Sequence, residues 1–290
     1  MTFIGVPVDS VGRSGGTEHA PAALRELGLP AVLGGPDAGD LDVRIRGEER
    51  DPETGIVASS DVLATTSTVR GAVASTISDG ARPFLVGGCC SEVPGALAGA
   101  RDALGRVGLA YLDGHLDLYD GTTSPTGEAA DMPISVALGR GPAAWVEEAG
   151  GASIAVEDAA IVGYRDQEES RAYGMLQPEE LGPGLTHLPM DDVRAEGAAA
   201  VGERVAAALG SRGQFWLHLD VDVLDQDVFP ATDYLMPNGM TWEELLPVLE
   251  PLASAPSLIG VSLGCYNPDK DPDRACGRAL VEALGASLSA

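Results

Sequence analysis

The sequence predicts an α/β fold, a three-layer αβα sandwich around a central, mostly parallel sheet. Two observations carry that expectation. Apolar runs of strand length alternate with helical patterns along the chain, which is the signature of a parallel sheet covered on both faces. Acidic or glycine-rich clusters also follow directly on several of those runs, and open sheets of this class collect their sites at the carboxyl ends of strands.

Taken in order, the runs Phe3–Val8, Pro83–Gly87, Gly108–Leu112, Ala160–Tyr164, Phe215–Val221 and Leu258–Tyr266 are expected to be strands, because short apolar stretches suit buried sheet positions. Helical patterns occupy Ala22–Leu27, Asp61–Ser78, Pro94–Ala103, Val193–Leu209, Trp242–Leu249 and Arg274–Leu284. Thr241 and Glu244 form a capping box that marks where one of them begins. No composition break or long Gly/Ser linker divides the 290 residues, so 1–290 reads as one domain.

Composition excludes some partners. The net charge of −26, from 18 basic and 44 acidic residues, argues against nucleic acid, whose phosphates need a basic surface. No uninterrupted apolar stretch approaches the roughly 20 residues of a membrane helix. The opening Met-Thr-Phe-Ile-Gly-Val-Pro lacks the basic leader and apolar core of a signal peptide. The four cysteines, two of them adjacent, do not form a disulfide-framework pattern. A cytoplasmic soluble protein is the expectation.

Two clusters carry the chemistry: Asp113-Gly-His115-Leu-Asp117 after Ala110-Tyr111-Leu112, and His218-Leu-Asp220-Val-Asp222 after Phe215-Trp216-Leu217. If each continues its strand, alternate side chains share a face: Asp113 with His115 and Asp117, and His218 with Asp220 and Asp222. Carboxylates converging at strand ends repel one another unless a cation sits between them. Oxygen donors with an imidazole suit a divalent metal such as manganese, and two clusters suggest a pair of ions.

With these motifs in view, the chain resembles the arginase, or ureohydrolase, superfamily from Gly5-Val6-Pro7 and Gly15-Gly16-Thr17-Glu18 to Asn267-Pro268. The family's Gly-Gly-Asp-His-Ser, Asp-Ala-His-x-Asp and Asp-x-Asp motifs correspond to Gly87-Gly88-Cys89-Cys90-Ser91, Asp113-Gly114-His115-Leu116-Asp117 and Asp220-Val221-Asp222-Val223-Leu224-Asp225. The resemblance implies an arginase-like fold and two Mn2+ per chain. Asp113 and Asp220 would bridge the ions, Asp117 and Cys90 would complete one, and His115 and Asp222 the other. Two cations sharing a water make hydroxide near neutral pH, a nucleophile strong enough for a delocalised guanidinium carbon. Asp117 could also orient that hydroxide. Relatives are often trimers or hexamers, so an oligomer is possible.

Three departures shape the functional reading. Cys90 stands where the family has a ligating His, and a thiolate is a legitimate, softer ligand. Thr126-Gly127-Glu128-Ala129-Ala130-Asp131-Met132-Pro133 replaces a family segment in which a His shuttles protons, and Ala130 falls at that place. Glu128, at a pocket-lining place, becomes the candidate for proton transfer or amine recognition, with Thr126 and Tyr119 as further substrate contacts. Cys265 stands where guanidino hydrolases commonly carry a Glu that pairs with the guanidinium. An N-hydroxyguanidine, being less basic, suits that loss. A cysteine ligand also occurs in the Nω-hydroxy-L-arginine hydrolase branch that serves D-cycloserine, an antibiotic. Glu168 matches a family carboxylate that holds the substrate's α-amino group. His218 is read as a hydrogen-bonding neighbour of the ligands rather than a ligand.

The leading expectation is therefore a hydrolase of a linear C–N bond in a guanidino-type compound, with Nω-hydroxy-L-arginine giving hydroxyurea and ornithine. An arginase-, agmatinase- or formiminoglutamase-type hydrolase is the alternative within enzymes. A silent metal-binding relative is the reading from another class. The retained ligand positions favour the enzyme.

Overall fold

The computed structural model describes residues 1–288; the expected domain span 1–290 ends on two residues outside the described ones. The strands are β1 (Thr2–Val6), β2 (Asp37–Asp40), β3 (Pro83–Gly87), β4 (Val107–Leu112), β5 (Ala159–Val162), β6 (Thr186–Leu188), β7 (Gln214–Asp220) and β8 (Leu258–Gly264). They form one sheet in the order β2-β1-β3-β8-β7-β4-β5-β6, and every pairing is parallel.

Alternation along the strands sends side chains into two apolar layers. Ala110, Leu112, Phe215, Leu217, Leu219, Val261 and Leu263 join one core cluster with residues of the helices Ala20–Glu26, Ala198–Arg212, Trp242–Ala253 and Ala275–Leu288. Leu109, Tyr111 and Trp216 join the other, with residues of Ser59–Ser78 and Val93–Leu104. The central strands are apolar on both faces because both faces are covered.

Where the structure departs from the sequence reading, the reasons are local. Strand β2 is polar and mostly exposed, and β6 has only three residues; neither edge strand carries a long apolar run. The single helix expected over Val193–Leu209 is broken into Met190–Glu196 and Ala198–Arg212 at Gly197, whose φ of 95° leaves the helical region. The capping box is present as read. Thr241 Oγ1 accepts from the Glu244 N–H, and the Glu244 carboxylate accepts from the Thr241 N–H at 2.9 Å.

One close approach ties packing to the site. A Cβ on Gly260 of β8 would lie 2.2 Å from the Trp216 ring of β7, so only glycine leaves room for the indole. Trp216 Nε1 donates to Ser262 Oγ at 2.9 Å, and Ser262 Oγ lies 2.7 Å from His218 Nδ1. Gly260→Ala is expected to destabilise the fold by about 1–3 kcal/mol, the usual cost of overpacking. Urea denaturation checks this, and an unchanged midpoint would contradict the tight contact.

Candidate metal centre

Strands β3, β8, β7 and β4 are consecutive in the sheet, and the loops at their carboxyl ends carry Cys90, Cys265, Asp222 and Asp113 in that order, with Asp220 closing β7. Neighbouring parallel strands bring these side chains together although they are far apart in sequence. The reason differs from strand alternation: β4 stops at Leu112 and β7 at Asp220. His115, Asp117 and Asp222 therefore arrive through turns, and Asp117 takes a φ of 49° to do so.

Backbone amides set the carboxylates. The His115 N–H donates to Asp113 Oδ1 at 2.7 Å, the Asp222 N–H to Asp220 Oδ1 at 2.8 Å, and the Gly114 N–H to Asp222 Oδ1 at 3.0 Å. The second oxygens point inward. Asp220 Oδ2 lies 2.7 Å and Asp113 Oδ2 3.7 Å from Cys90 Sγ, and Asp222 Oδ2 lies 3.1 Å from His115 Nδ1. Two groups of donor atoms result, Cys90/Asp113/His218/Asp220 and Asp113/His115/Asp222, each within 4.8 Å of one another. Asp113 belongs to both. Asp117, expected beside Cys90, is in neither group; its Oδ2 accepts from the Tyr111 hydroxyl.

The electrostatics fit a cation-holding site. Burial, followed by the charge of Asp222, pushes Asp113 up to about 6 and raises Asp220 well above the ordinary carboxylate range. Burial and the neighbouring Asp113 do the same to Asp117. Burial, then Cys265 and Asp220, raises the Cys90 thiol. Against the opposing effect of burial, Asp222 raises His115, and His115 in turn lowers Asp222. Such donors ionise together only when cations neutralise them. Thiolate, imidazole and carboxylate are all legitimate ligands for divalent metals, so the residues fit the pair of ions.

Above the donors lies a cavity of about 350 Å³. Asp117, Tyr119, Thr126 and Glu128 line it. Glu168 does not: it is exposed and outside the lining, whereas Asp166 and Glu169 are in it. Successive residues near a helix start point about 100° apart, so neighbouring carboxylates of this segment face different ways. Sequence reasoning also missed Tyr234, whose hydroxyl donates to Glu128 Oε2 at 2.7 Å and whose ring meets His115 edge-on. Asp9 and Asp233 are further lining acids it passed over. Their loops carry no motif of metal-ligand spacing, so no local signal marks them. Cys265 Sγ lies 3.9 Å from Cys90 Sγ, which places it beside the donors with no charge to offer a guanidinium.

A parallel sheet whose carboxyl edge gathers carboxylates, an imidazole and a thiol beneath one cavity defines the class of a metal-dependent hydrolase. The model of the Arginase family matches residues 1–288. The chain is 28% identical to an arginase of Bacillus caldovelox over 294 residues, 99% of this chain and 97% of that protein. An arginase of Brevibacillus brevis is 26% identical over 293 residues, with 99% and 96% covered. The solved Bacillus caldovelox arginase superposes with a TM-score of 0.89 at 26% identity, covering 100% of this chain and 98% of that one. The chain belongs to the Arginase family and is a metal-dependent hydrolase of amidino C–N bonds.

Beside the donors, Glu92 is fully buried with neither carboxylate oxygen hydrogen-bonded, and burial raises it from 4.5 to about 8. Its folded-state pKa lies above its unfolded value, so the unfolded chain loses this proton first as pH rises. Stability therefore falls between about pH 4.5 and 8. Glu92→Gln is expected to remove that part of the fall, checked by urea midpoints across this range; an unaltered pH slope would contradict it.

Proposed function

We propose that the chain hydrolyses a linear C–N bond of a guanidino-type compound, with Nω-hydroxy-L-arginine cleaved to hydroxyurea and ornithine. The observation that carries the reading is the pair of donor groups sharing Asp113 on the floor of one cavity. Cys90, Asp113, Asp117 and Asp220 would hold one manganese ion, and His115 and Asp222 with the shared Asp113 and Asp220 the other. When bound, two divalent cations supply the charge that brings a water's pKa toward neutrality.

The remaining steps belong to side chains. Asp117 accepts from Tyr111 through Oδ2, so its Oδ1 is available to accept from the attacking water and orient it. Glu128 is anchored by Tyr234 at Oε2, and burial raises its pKa. It keeps a proton to higher pH than an ordinary carboxyl, suited to delivery from Oε1 to the departing amine. Cys265 replaces the guanidinium-pairing acid, which supports a less basic hydroxyguanidine at the reacting end. Tyr119 and Thr126 contact the chain of the substrate from the cavity wall.

A second reading, an amine-tailed guanidine without a carboxylate, is favoured by one feature. Among the described residues, no Lys or Arg lines the cavity, whereas Asp9, Glu128, Asp131, Asp166, Glu169 and Asp233 do.

Manganese-loaded protein assayed side by side on arginine, Nω-hydroxyarginine, agmatine and formiminoglutamate decides between them. Turnover of the hydroxylated amino acid is expected. Turnover of agmatine alone would move the assignment to the second reading, and no turnover with two ions bound would contradict both. Glu128→Gln is expected to lower kcat at least about 100-fold, the scale of general acid–base catalysis. An unchanged kcat would remove it from the reaction.

A further inference from the structure

His218 is the one buried imidazole of the centre that the functional reading leaves unused. It is fully buried, and its ring stacks on Tyr111 with centroids 4.8 Å apart. Its Nε2 lies 3.1 Å from Cys90 Sγ, and a ring nitrogen falls within 4.8 Å of ligand atoms of Cys90, Asp113 and Asp220. On the far side of the ring, Ser262 Oγ lies 2.7 Å from Nδ1 and accepts from Trp216 Nε1. A hydroxyl has two acceptor sites, so Ser262 can take the indole N–H and the Nδ1–H together. This is how metal-binding histidines are usually held: the second ring N–H donates to a fixed acceptor, which sets the tautomer and aims the other nitrogen.

We infer that His218 Nε2 is a protein ligand of the ion that Cys90 holds, giving that position the donor set Cys90, His218, Asp113 and Asp220. Asp117, outside the group and tied to Tyr111, is released to act on water alone. The inference rests on the metal-hydrolase reading and changes its ligand assignment. It has a chemical consequence. A thiolate, an imidazole and two carboxylates match zinc or cobalt, whereas Asp113, His115 and Asp222 form an oxygen-rich set that suits manganese. The centre would then discriminate between its two positions by donor softness, with zinc or cobalt on the His218 side.

The test uses full-length protein stripped of metal, loaded with one molar equivalent each of cobalt(II) and manganese(II), and measured by elemental analysis and electronic absorption. The unsubstituted protein is expected to bind one cobalt and one manganese, with a thiolate-to-cobalt band and intense ligand-field bands. His218→Gln is expected to weaken cobalt binding by more than about 100-fold, beyond the roughly 10–100-fold that loss of a supporting hydrogen bond costs, while keeping one manganese. The retained manganese shows that the variant is folded. Asp117→Asn is expected to keep both ions and the cobalt spectrum. The proposal is overturned if His218→Gln loses no more than about 100-fold in cobalt affinity and keeps the ligand-field bands, His218 then being only a hydrogen-bonding neighbour of the sulfur. It is equally overturned if Asp117→Asn loses the cobalt instead. Fewer than two ions in the unsubstituted protein would sink the metal-hydrolase reading as well, whereas either variant result alone leaves that reading standing.

Discussion

The crowding of Asp113, Asp220, Asp222 and Cys90, whose charges would repel one another if all were ionised, is the constraint on which the rest of this structure depends. The sheet order β3-β8-β7-β4 leaves these groups no room to separate, and burial denies them water. A buried ion without a partner costs several kcal/mol even after relaxation. The protein resolves this in two ways. Backbone N–H groups of His115, Asp222 and Gly114 bind one oxygen of each carboxylate, which fixes their orientation. The inward oxygens remain for cations. A centre built like this has little stability of its own as an ionised cluster, and that is why it binds metal.

The architecture around the centre serves the same end. Turns after β4 and β7, rather than the strands, deliver His115 and Asp222, so short-range backbone geometry sets the spacing of the donors. The strands supply rigidity. Trp216, Ser262 and His218 form a hydrogen-bonded row across β7 and β8 beneath the thiol. The acids above the floor, Glu128 and Asp131 among them, have pKa values raised mainly by burial. The cavity is therefore a place where carboxyls hold their protons to higher pH than they would in water.

Much of this was legible in the sequence because it is written in local patterns. The central strands are continuous apolar runs, and the clusters at 113–117 and 218–222 directly follow two of them. What was not legible depends on neighbours. Edge strands β2 and β6 lack an apolar signature because neither is packed on both faces. Gly197 breaks a helix that periodicity alone would continue. Which of Asp166, Glu168 and Glu169 line the cavity, and the arrival of Tyr234 beside Glu128, are set by how loops fold over the sheet. The pairing of His218 with Cys90 joins residues 128 apart in sequence, and only the adjacency of strands reveals it.

Proton release on metal loading tests the central claim most directly. Calorimetric titration of metal-free protein at pH 7, in two buffers of different ionisation enthalpy, measures ions bound and protons displaced together. The account predicts two ions per chain with a net loss of protons, because burial holds Cys90, Asp117 and Asp220 above their ordinary ranges until a cation arrives. Binding of fewer than two ions, or of two with no protons released, would contradict it.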